Sequence, residues 1–266
     1  MTPSEIRELL AHHGVRPSRA LGQNFLTDEN TARRIVRLAE LQPGGRVVEV
    51  GPGIGSLTVE LAAAGVHVCA IELDRRLVPI LEEVVVGRDV EVVQDDALRV
   101  DWHERLGAGP WDMVANLPYN VATPLVVGVL ESAPMIERIL VMVQREVGER
   151  LAAGAGDDAY GAVSVKVAYY ASATLVGTVS PNVFVPKPKV ESALVRLVRH
   201  DQPPVQVGNV DRMFELVRAG FATRRKTLRN TLDGRIDAEQ FASTHVDPRA
   251  RAETLSLADW ARLADA

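Results

Sequence analysis

Short apolar runs alternate with segments of helical spacing along the first half of the chain. The runs cover residues 46–50, 66–71, 90–93, 113–115 and 138–143. Their hydrophobicity is continuous rather than alternating, which is typical of strands that are buried on both faces of a parallel sheet. The segments between them, such as 57–64 and 75–86, have helical spacing. The pattern predicts a doubly wound α/β domain.

The pattern changes in the last third of the chain. We predict two longer strands over residues 163–180 and 190–198, which form an antiparallel pair and close one edge of the sheet. The run Asp201-Gln202-Pro203-Pro204 interrupts the pattern and is predicted to be a linker. From residue 210 onwards the apolar spacing is helical. We therefore expect one domain over residues 1–203, with an N-terminal arm at 1–27, and a small helical domain over residues 204–266.

The composition is ordinary for a soluble globular protein, with 266 residues of which 47% are hydrophobic and 24% are charged. No apolar stretch approaches the length of a membrane span, and the N-terminus lacks the apolar centre of a signal peptide. The single cysteine, Cys69, lies in an apolar run and is predicted to be a buried thiol in a reducing compartment. The six histidines lack metal-ligand spacing. We therefore expect a cytoplasmic protein without a metal and without a membrane partner.

The charge is unevenly distributed along the chain. The net charge of −5 argues against a protein that coats nucleic acid over its whole surface. However, residues 211–235 hold seven Arg and Lys against three acids, and residues 1–37 hold six Arg against four acids. An acidic body with basic ends indicates a localised contact with a polyanion. The alternative is an ordinary solvated helix face.

The segment Asn116-Leu117-Pro118-Tyr119-Asn120 directly follows the apolar run 113–115. It combines an amide oxygen that can accept a hydrogen bond, a proline-fixed backbone whose carbonyl can accept a second, and a ring on which a base can stack. Those groups are the ones that an enzyme modifying the N6 amine of adenine requires. The alternative is an ordinary turn, because Asn and Pro are common turn residues.

Polar features follow three successive predicted strands, in an order that suits a nucleoside cofactor. Residues 51–55, Gly-Pro-Gly-Ile-Gly, follow the first strand and let the backbone approach a ligand closely. Glu72 ends the second strand, where an acid suits the two ribose hydroxyls. Asp95 and Asp96 follow the third, where an acid can accept from an adenine amine. A nicotinamide dinucleotide would use a similar acid, but its G-x-G-x-x-G pattern fails at Ser56. The three features together favour S-adenosylmethionine.

Residues 21–26, Leu-Gly-Gln-Asn-Phe-Leu, precede the first strand of the predicted sheet. They form either a loop with a helix cap at Thr27 or Asp28, or a segment that folds over the cofactor cleft.

With these residues assembled, the chain resembles the KsgA/RsmA family, the bacterial dimethyladenosine transferases of small-subunit ribosomal RNA. The resemblance runs from about residue 16 to about residue 257. Its motifs are LGQNFL (21–26), VVEVGPGIGSLT (47–58), IELD (71–74), DAL (96–98), NLPYN (116–120), MVQREVGERL (142–151), YGAVSVKV (160–167), FVPKPKVESALVRL (184–197) and FATRRKTLRNTL (221–232). The chain departs from the family at Lys187, where Pro is common, and at Asp95, which adds a second acid beside Asp96.

The resemblance implies a Rossmann-like class I methyltransferase fold, α/β with a mostly parallel seven-stranded sheet, plus a small C-terminal α-helical domain. The residues expected to bind the cofactor are Asn24, Leu26, Gly51, Gly53, Glu72, Asp96 and Asn116. Asp96 is preferred over Asp95 because it belongs to the DAL match. Tyr119 and Phe184 match positions that stack on the target adenine, so the expected catalytic set is Asn116, Pro118, Tyr119 and Phe184. The residues expected to face RNA phosphate are Arg224, Arg225, Lys226 and Arg229.

The implied activity is S-adenosylmethionine-dependent N6,N6-dimethylation of two adjacent adenosines near the 3′ end of 16S ribosomal RNA, coupled to biogenesis of the small subunit. The expected partners are this RNA and the assembling subunit, with the enzyme acting as a monomer. Acceptors at Asn116 and Pro118 would hold the hydrogens of the amine, and the rest of the catalysis would be proximity and orientation. No general base is evident. None is required, because the alkylated amine is strongly acidic and can lose its proton after transfer.

Three alternatives remain open from the sequence. Resistance methyltransferases of large-subunit RNA share the fold but usually carry Asn-Ile-Pro-Tyr, whereas residue 117 here is Leu. DNA adenine methyltransferases typically carry Asp or Asn, then Pro, Pro and Tyr. A non-catalytic RNA-binding assembly or transcription factor on the same fold would not need an intact donor site and an intact NLPYN motif.

Overall fold

The computed structural model describes residues 1–18, 21–118, 120–223 and 225–266, and the chain forms two compact units. The first unit consists of Met1–Gly148 and Thr174–Arg199, and the second of Glu149–Ala173 and His200–Ala266.

The strands in chain order are β1 (Phe25–Leu26), β2 (Arg46–Val50), β3 (His67–Glu72), β4 (Val90–Gln94), β5 (Trp111–Asn116), β6 (Ile136–Gln144), β7 (Ala171–Val179), β8 (Phe184–Val185) and β9 (Ser192–Arg199). The helices are α1 (Pro3–His12), α2 (Glu29–Ala39), α3 (Thr58–Ala63), α4 (Val78–Val84), α5 (Trp102–Leu106), α6 (Ala122–Ser132), α7 (Arg145–Ala152), α8 (Ala162–Tyr170), α9 (Val210–Phe221), α10 (Leu228–Thr231), α11 (Ala238–Ser243) and α12 (Leu257–Asp265).

Seven strands form the main sheet in the order β4-β3-β2-β5-β6-β9-β7. The pairs from β4 to β6 are parallel, and β9 joins β6 antiparallel with Val195 opposite Val141. The apolar runs become strands because helices cover both faces of such a sheet. The predicted α/β fold with a mostly parallel seven-stranded sheet is confirmed. Because the parallel strands run in one direction, the ends of β2, β3, β4 and β5 lie at one edge of the sheet.

The N-terminal arm belongs to the first unit and packs against the rest of it beside this edge. Helix α1 begins with a capping box formed by Thr2 and Glu5, and it buries Ile6 and Leu10 in a cluster with Phe25, Ile54 and Ile80. Strand β1 then pairs antiparallel with β8, with Leu26 opposite Phe184. These contacts carry residues 21–26 past the glycine turn that follows β2.

The second unit is helical and has its own core. Its buried residues include Phe214 and Val217 of α9, Leu228 of α10 and Trp260 of α12. Val165 and Tyr169 of α8 belong to the same cluster. For this reason the unit takes in Glu149–Ala173 as well as the residues after the Pro203-Pro204 segment, whereas the sequence led us to divide the chain between residues 203 and 204.

The prediction of a strand from residue 163 was wrong. Residues Ala162–Tyr170 form helix α8, and strand β7 begins only at Ala171. Val163, Val165 and Val167 alternate with other residues as in a strand, but Val165 and Val167 are both buried in the observed helix. Burial in a helical core outweighs the β preference of valine, because strand propensity depends strongly on tertiary context.

Candidate active site

One cleft lies at the sheet edge where β2, β3, β4 and β5 end. It encloses about 1090 Å³ of space, including its open mouth. Its described lining residues all belong to the first unit. They form five groups: 21–26, 49–54 with 56–57, 71–73 with Leu77, 95–98, and part of 116–125. A cleft at the carboxyl ends of parallel strands is where doubly wound folds bind their ligands.

The glycine turn after β2 lies close to two other parts of the cleft wall. Gly53 has a φ of +62°, and a Cβ atom there would lie 3.0 Å from the ring of Phe25. Gly51 has a φ of +68°, and a Cβ atom there would lie 3.5 Å from Cδ of Pro118. Glycine at both positions therefore permits the left-handed backbone, and at Gly53 it also permits the close approach of the N-terminal arm.

Glu72, at the end of β3, is 5% exposed and joins two loops. Its Oε2 accepts from the backbone N–H of Gly53 at 2.9 Å, and its Oε1 accepts from the N–H of Asp74 at 2.8 Å. Burial raises the pKa of Glu72 above its ordinary value, and the two N–H donors act against this by stabilising the carboxylate. The predicted ribose acid thus lies directly beside the glycine turn.

The sequence reasoning missed Glu49, a second acid of this cleft. Glu49 is 1% exposed, lines the cleft, and has an Oε2 atom without a hydrogen-bond partner among the described residues. Ser56, whose Oγ is likewise unpartnered, also lines the cleft. Burial raises the pKa of Glu49 to about 8. An acid inside an apolar strand, two residues before the first glycine, was the sequence signal that could have identified it.

Asp95 and Asp96 both line the cleft after β4. Oδ1 of Asp95 accepts from the N–H of Asp96 at 2.8 Å, and Oδ1 of Asp96 accepts from the N–H of Leu98 at 3.0 Å. Leu73 and Leu98 line the cleft while remaining 53% and 47% exposed, which gives the cleft apolar walls next to its acids. Since both residues line the cleft, the preference for Asp96 stays a prediction.

Asn116 and Pro118 bring the end of β5 into the same cleft. Nδ2 of Asn116 donates to the main-chain oxygen of Asn24 at 3.3 Å. The side-chain oxygen of Asn116 is therefore the end of the amide that can accept from a ligand. The carbonyl of Pro118 accepts from the N–H of Val121 at 3.1 Å and has a second lone pair for another donor. Tyr119, predicted to stack on the target base, lies outside the described residues.

Phe184 is not among the described residues that line the cleft. Its side chain is 3% exposed and packs in the apolar core with Leu26, Val179 and Leu194. The pairing of β8 with β1 explains this position, since it sets Phe184 opposite the buried Leu26. Stacking of Phe184 on a base stays a prediction, and it would require the ring to become accessible.

The basic residues predicted to contact RNA belong to the second unit. Arg225 and Lys226 are exposed between α9 and α10, and Arg229 is exposed on α10. Arg224 lies outside the described residues. Across the described ranges, no helix is long and apolar enough to cross a membrane, and no cluster of three or more His, Cys, Asp or Glu could hold a metal ion.

The fold and the cleft define a Rossmann-like methyltransferase. Two solved structures share this fold. The 23S rRNA methyltransferase ErmE has a TM-score of 0.72 and 29% identity, with coverage of 91% of this chain and 98% of that one. A dimethyladenosine transferase from Plasmodium falciparum has a TM-score of 0.73 and 24% identity, with coverage of 90% of this chain and 95% of that one.

A family model described as "Ribosomal RNA adenine dimethylase" matches residues 15–266. The chain belongs to this family of ribosomal RNA adenine methyltransferases. Among its relatives are proteins named "Ribosomal RNA small subunit methyltransferase A". The one from Thermobifida fusca (strain YX) is 48% identical over 100% of this chain and 95% of its own length. The one from Geobacillus sp. (strain WCH70) is 41% identical over 100% of this chain and 96% of its own length.

Proposed function

We propose that this protein uses S-adenosylmethionine to dimethylate N6 of two adjacent adenosines near the 3′ end of 16S ribosomal RNA while the small subunit is being assembled. The observation that carries the proposal is that the NLPYN residues Asn116 and Pro118 line the same cleft as the glycine turn and Glu72. A donor site and an adenine-amine site would then face each other. The small-subunit assignment rests on the names of the relatives that are 48% and 41% identical.

The residues of the cleft fit S-adenosylmethionine. Glu49 carries a buried oxygen without a described partner, which suits the ammonium group of this ligand. Glu72 suits the ribose hydroxyls, and Asp96 suits the adenine amine. The exposed side chains of Leu73 and Leu98 suit the faces of the adenine ring. When bound, S-adenosylmethionine supplies an electrophilic methyl group on a positively charged sulfur.

The acceptor half of the reaction belongs to the NLPYN segment. The N6 nitrogen of adenine is a weak nucleophile because its lone pair is delocalised into the ring. In the first transfer, the Asn116 side-chain oxygen and the Pro118 carbonyl each accept a hydrogen bond from one N6 hydrogen, which favours a pyramidal nitrogen. N6 releases one proton to solvent after it is alkylated, so in the second transfer one of the two acceptors holds the single remaining hydrogen. Tyr119 stacks on the unstacked base, and Phe184 joins it if its buried ring becomes accessible; such stacking is worth about 1–3 kcal/mol per base. Orientation of the two reactants supplies most of the remaining rate.

The second unit holds the RNA backbone through Arg224, Arg225, Lys226 and Arg229. Such phosphate contacts fix position and carry no sequence information directly. We expect the protein to act as a monomer.

The similarity to the 23S rRNA methyltransferase ErmE leaves large-subunit RNA as the second candidate substrate. Its identity to this chain is 29%, against 48% and 41% for the small-subunit relatives, and Leu117 departs from the Asn-Ile-Pro-Tyr pattern. The small-subunit substrate is therefore the better supported of the two.

Asn116→Ala tests the catalytic proposal. Removal of one preorganised hydrogen-bonding group from an active site typically costs about 10²–10³ in rate. We expect a loss of this size in the single-turnover rate with small subunits, while the protein remains folded. Asn30→Ala removes the same amide from an exposed position of α2 and serves as the control. A near-native rate for Asn116→Ala would contradict the proposed role.

A further inference from the structure

The side chain of Gln23 joins the N-terminal arm to the loop after β3. Its Oε1 accepts from the backbone N–H of Ser18 at 2.7 Å, and its Nε2 donates to Oδ2 of Asp74 at 2.9 Å. We call the second contact the Gln23–Asp74 bridge. It spans 51 residues of sequence, so no local turn geometry produces it.

Asp74 is well suited to hold this bridge. It is 6% exposed, and Arg76 donates to both of its carboxylate oxygens, from Nε at 2.9 Å and from a terminal nitrogen at 2.6 Å. These bonds from Arg76 lower the pKa of Asp74 to about 2. The carboxylate is therefore ionised at neutral pH, and hydrogen bonds to an ionised acceptor are roughly twice as strong as neutral ones.

The bridge is continuous with the donor half of the cleft. The backbone N–H of Asp74 donates to Glu72, whose other oxygen accepts from the N–H of Gly53. Three loops of the cleft thus share one hydrogen-bonded chain that runs from Gln23 through Asp74 and Glu72 to the glycine turn.

The bridge is also next to the acceptor half, because the residue after Gln23 is Asn24. The main-chain oxygen of Asn24 can only accept, so it selects the orientation of the Asn116 amide in which Nδ2 faces it. If the Asn116 amide were rotated by 180°, its Oδ1 would face the main-chain oxygen of Asn24, and neither oxygen could donate. The selected orientation leaves Oδ1 of Asn116 to accept from an amine, which is what the proposed reaction requires.

We propose that Gln23 is a positioning residue for methyl transfer: its bridge to Asp74 holds the Asn24 carbonyl where that carbonyl orients the Asn116 amide. This inference rests on the proposed function, because it assigns to Asn116 the task of accepting from the target amine. Neither side chain of the bridge needs to touch either substrate.

Exchange of the donor and the acceptor of the Gln23–Asp74 bridge tests this role. Gln23→Glu can still accept from Ser18 but sets a carboxylate against Asp74, so the bridge is lost. The double variant Gln23→Glu/Asp74→Asn restores it, because the new amide nitrogen at residue 74 donates to the new carboxylate at residue 23. That nitrogen no longer accepts from the terminal nitrogen of Arg76, while the remaining oxygen still accepts from Nε of Arg76. We expect the single-turnover rate at saturating S-adenosylmethionine and RNA to fall at least ten-fold in the single variant and to recover to within about three-fold in the double variant.

Two further measurements separate positioning from folding and from the proposed function. Hydrogen exchange at residues 21–26, measured without ligand, should quicken in Gln23→Glu and slow again in the double variant, while the thermal unfolding midpoint stays within about 2 °C. The uncharged variant Gln23→Leu should be slow like Gln23→Glu. Glu83→Ala removes the contact of His13 with α4, another attachment of the same arm, and should keep the wild-type rate.

The inference is overturned if Gln23→Glu keeps the wild-type rate, or if the double variant stays slow although it is folded. It is also overturned if Glu83→Ala is as slow as Gln23→Glu, since any loosening of the arm would then suffice. If the wild-type protein methylates no ribosomal substrate, the proposed function fails instead. Even then, unchanged hydrogen exchange at residues 21–26 in Gln23→Glu would show that the Gln23–Asp74 bridge does not hold the arm, and would overturn the inference independently.

Discussion

Glu49 is a buried acid of the cleft, and its substitution by glutamine should change how the stability of the protein depends on pH. The carboxyl is 1% exposed, and burial raises its pKa from 4.5 to about 8. The folded protein therefore keeps a proton on Glu49 at pH values where the unfolded chain has released it. Glu49→Gln retains a neutral side chain of similar shape and cannot titrate.

The pH dependence of the free energy of unfolding follows from the difference in the pKa of Glu49 between the folded and the unfolded protein. A raised pKa contributes stability that is fully present below about pH 4.5 and is lost as the pH rises towards 8. Each pH unit in that window is worth about 1.4 kcal/mol, and the whole window is worth about 5 kcal/mol at most. Relative to Glu49→Gln, the wild-type protein should lose stability along this slope and should show no further loss above about pH 8.

The assay is equilibrium unfolding by urea of both proteins at pH 5, 6, 7, 8 and 9, without ligand. Glu8→Gln, which removes an exposed carboxyl of α1, serves as the control and should keep the wild-type slope. Wild-type and Glu49→Gln curves that run parallel between pH 5 and 8 would refute the reasoning, because the carboxyl would then not be protonated in the folded state.

Four further predictions concern the ligands. If Glu49 must ionise to bind an ammonium group, the affinity for S-adenosylmethionine should rise between pH 6 and 8 in the wild-type protein but not in Glu49→Gln, as calorimetry can measure. Gly53→Ala should weaken the same affinity at least ten-fold, because the left-handed backbone costs about 1–2 kcal/mol and the added Cβ would lie 3.0 Å from Phe25. The same pH dependence of affinity in Glu49→Gln as in the wild-type protein would contradict the role of Glu49. Wild-type affinity in Gly53→Ala would contradict the role of Gly53. Phe184→Leu should cost about 1–2 kcal/mol of stability, because the smaller side chain leaves a cavity in the core. It should also raise the KM for ribosomal particles, and an unchanged KM would exclude stacking by this ring. Neutralisation of the four cations of the second unit should weaken RNA binding and reduce the slope of log K against log salt by up to about 3, with donor affinity unchanged; those cations are Arg224, Arg225, Lys226 and Arg229.

Much of the fold could be predicted because its signals are local. A strand that is buried on both faces is largely apolar, and β2, β3, β5 and β6 follow this rule, with Glu49 as the buried exception in β2. The glycine turn and Glu72 could be expected to meet, because parallel strands end at one edge. Helix α8 could not be identified, since its alternating valines match a strand and only packing in the second unit makes the segment helical.

The contacts that position the site could not be predicted. Asn24 and Asn116 are 92 residues apart, and their hydrogen bond depends on the pairing of β1 with β8 and on the path of the N-terminal arm. Nothing in the LGQNFL motif indicates that its glutamine would reach Asp74. The burial of Phe184 likewise follows from strand pairing, whereas its motif alone favours an exposed ring. Long-range geometry of this kind is absent from local spacing.

The most direct measurement of the central claim supplies labelled S-adenosylmethionine to the protein with small subunits, large subunits or protein-free ribosomal RNA, each lacking native modification. The labelled nucleotides are then located by digestion and mass spectrometry. We predict two dimethylated, adjacent adenosines near the 3′ end of the small-subunit RNA, and none in the large subunit. Label confined to large-subunit RNA, or no label on any ribosomal substrate, would contradict the account.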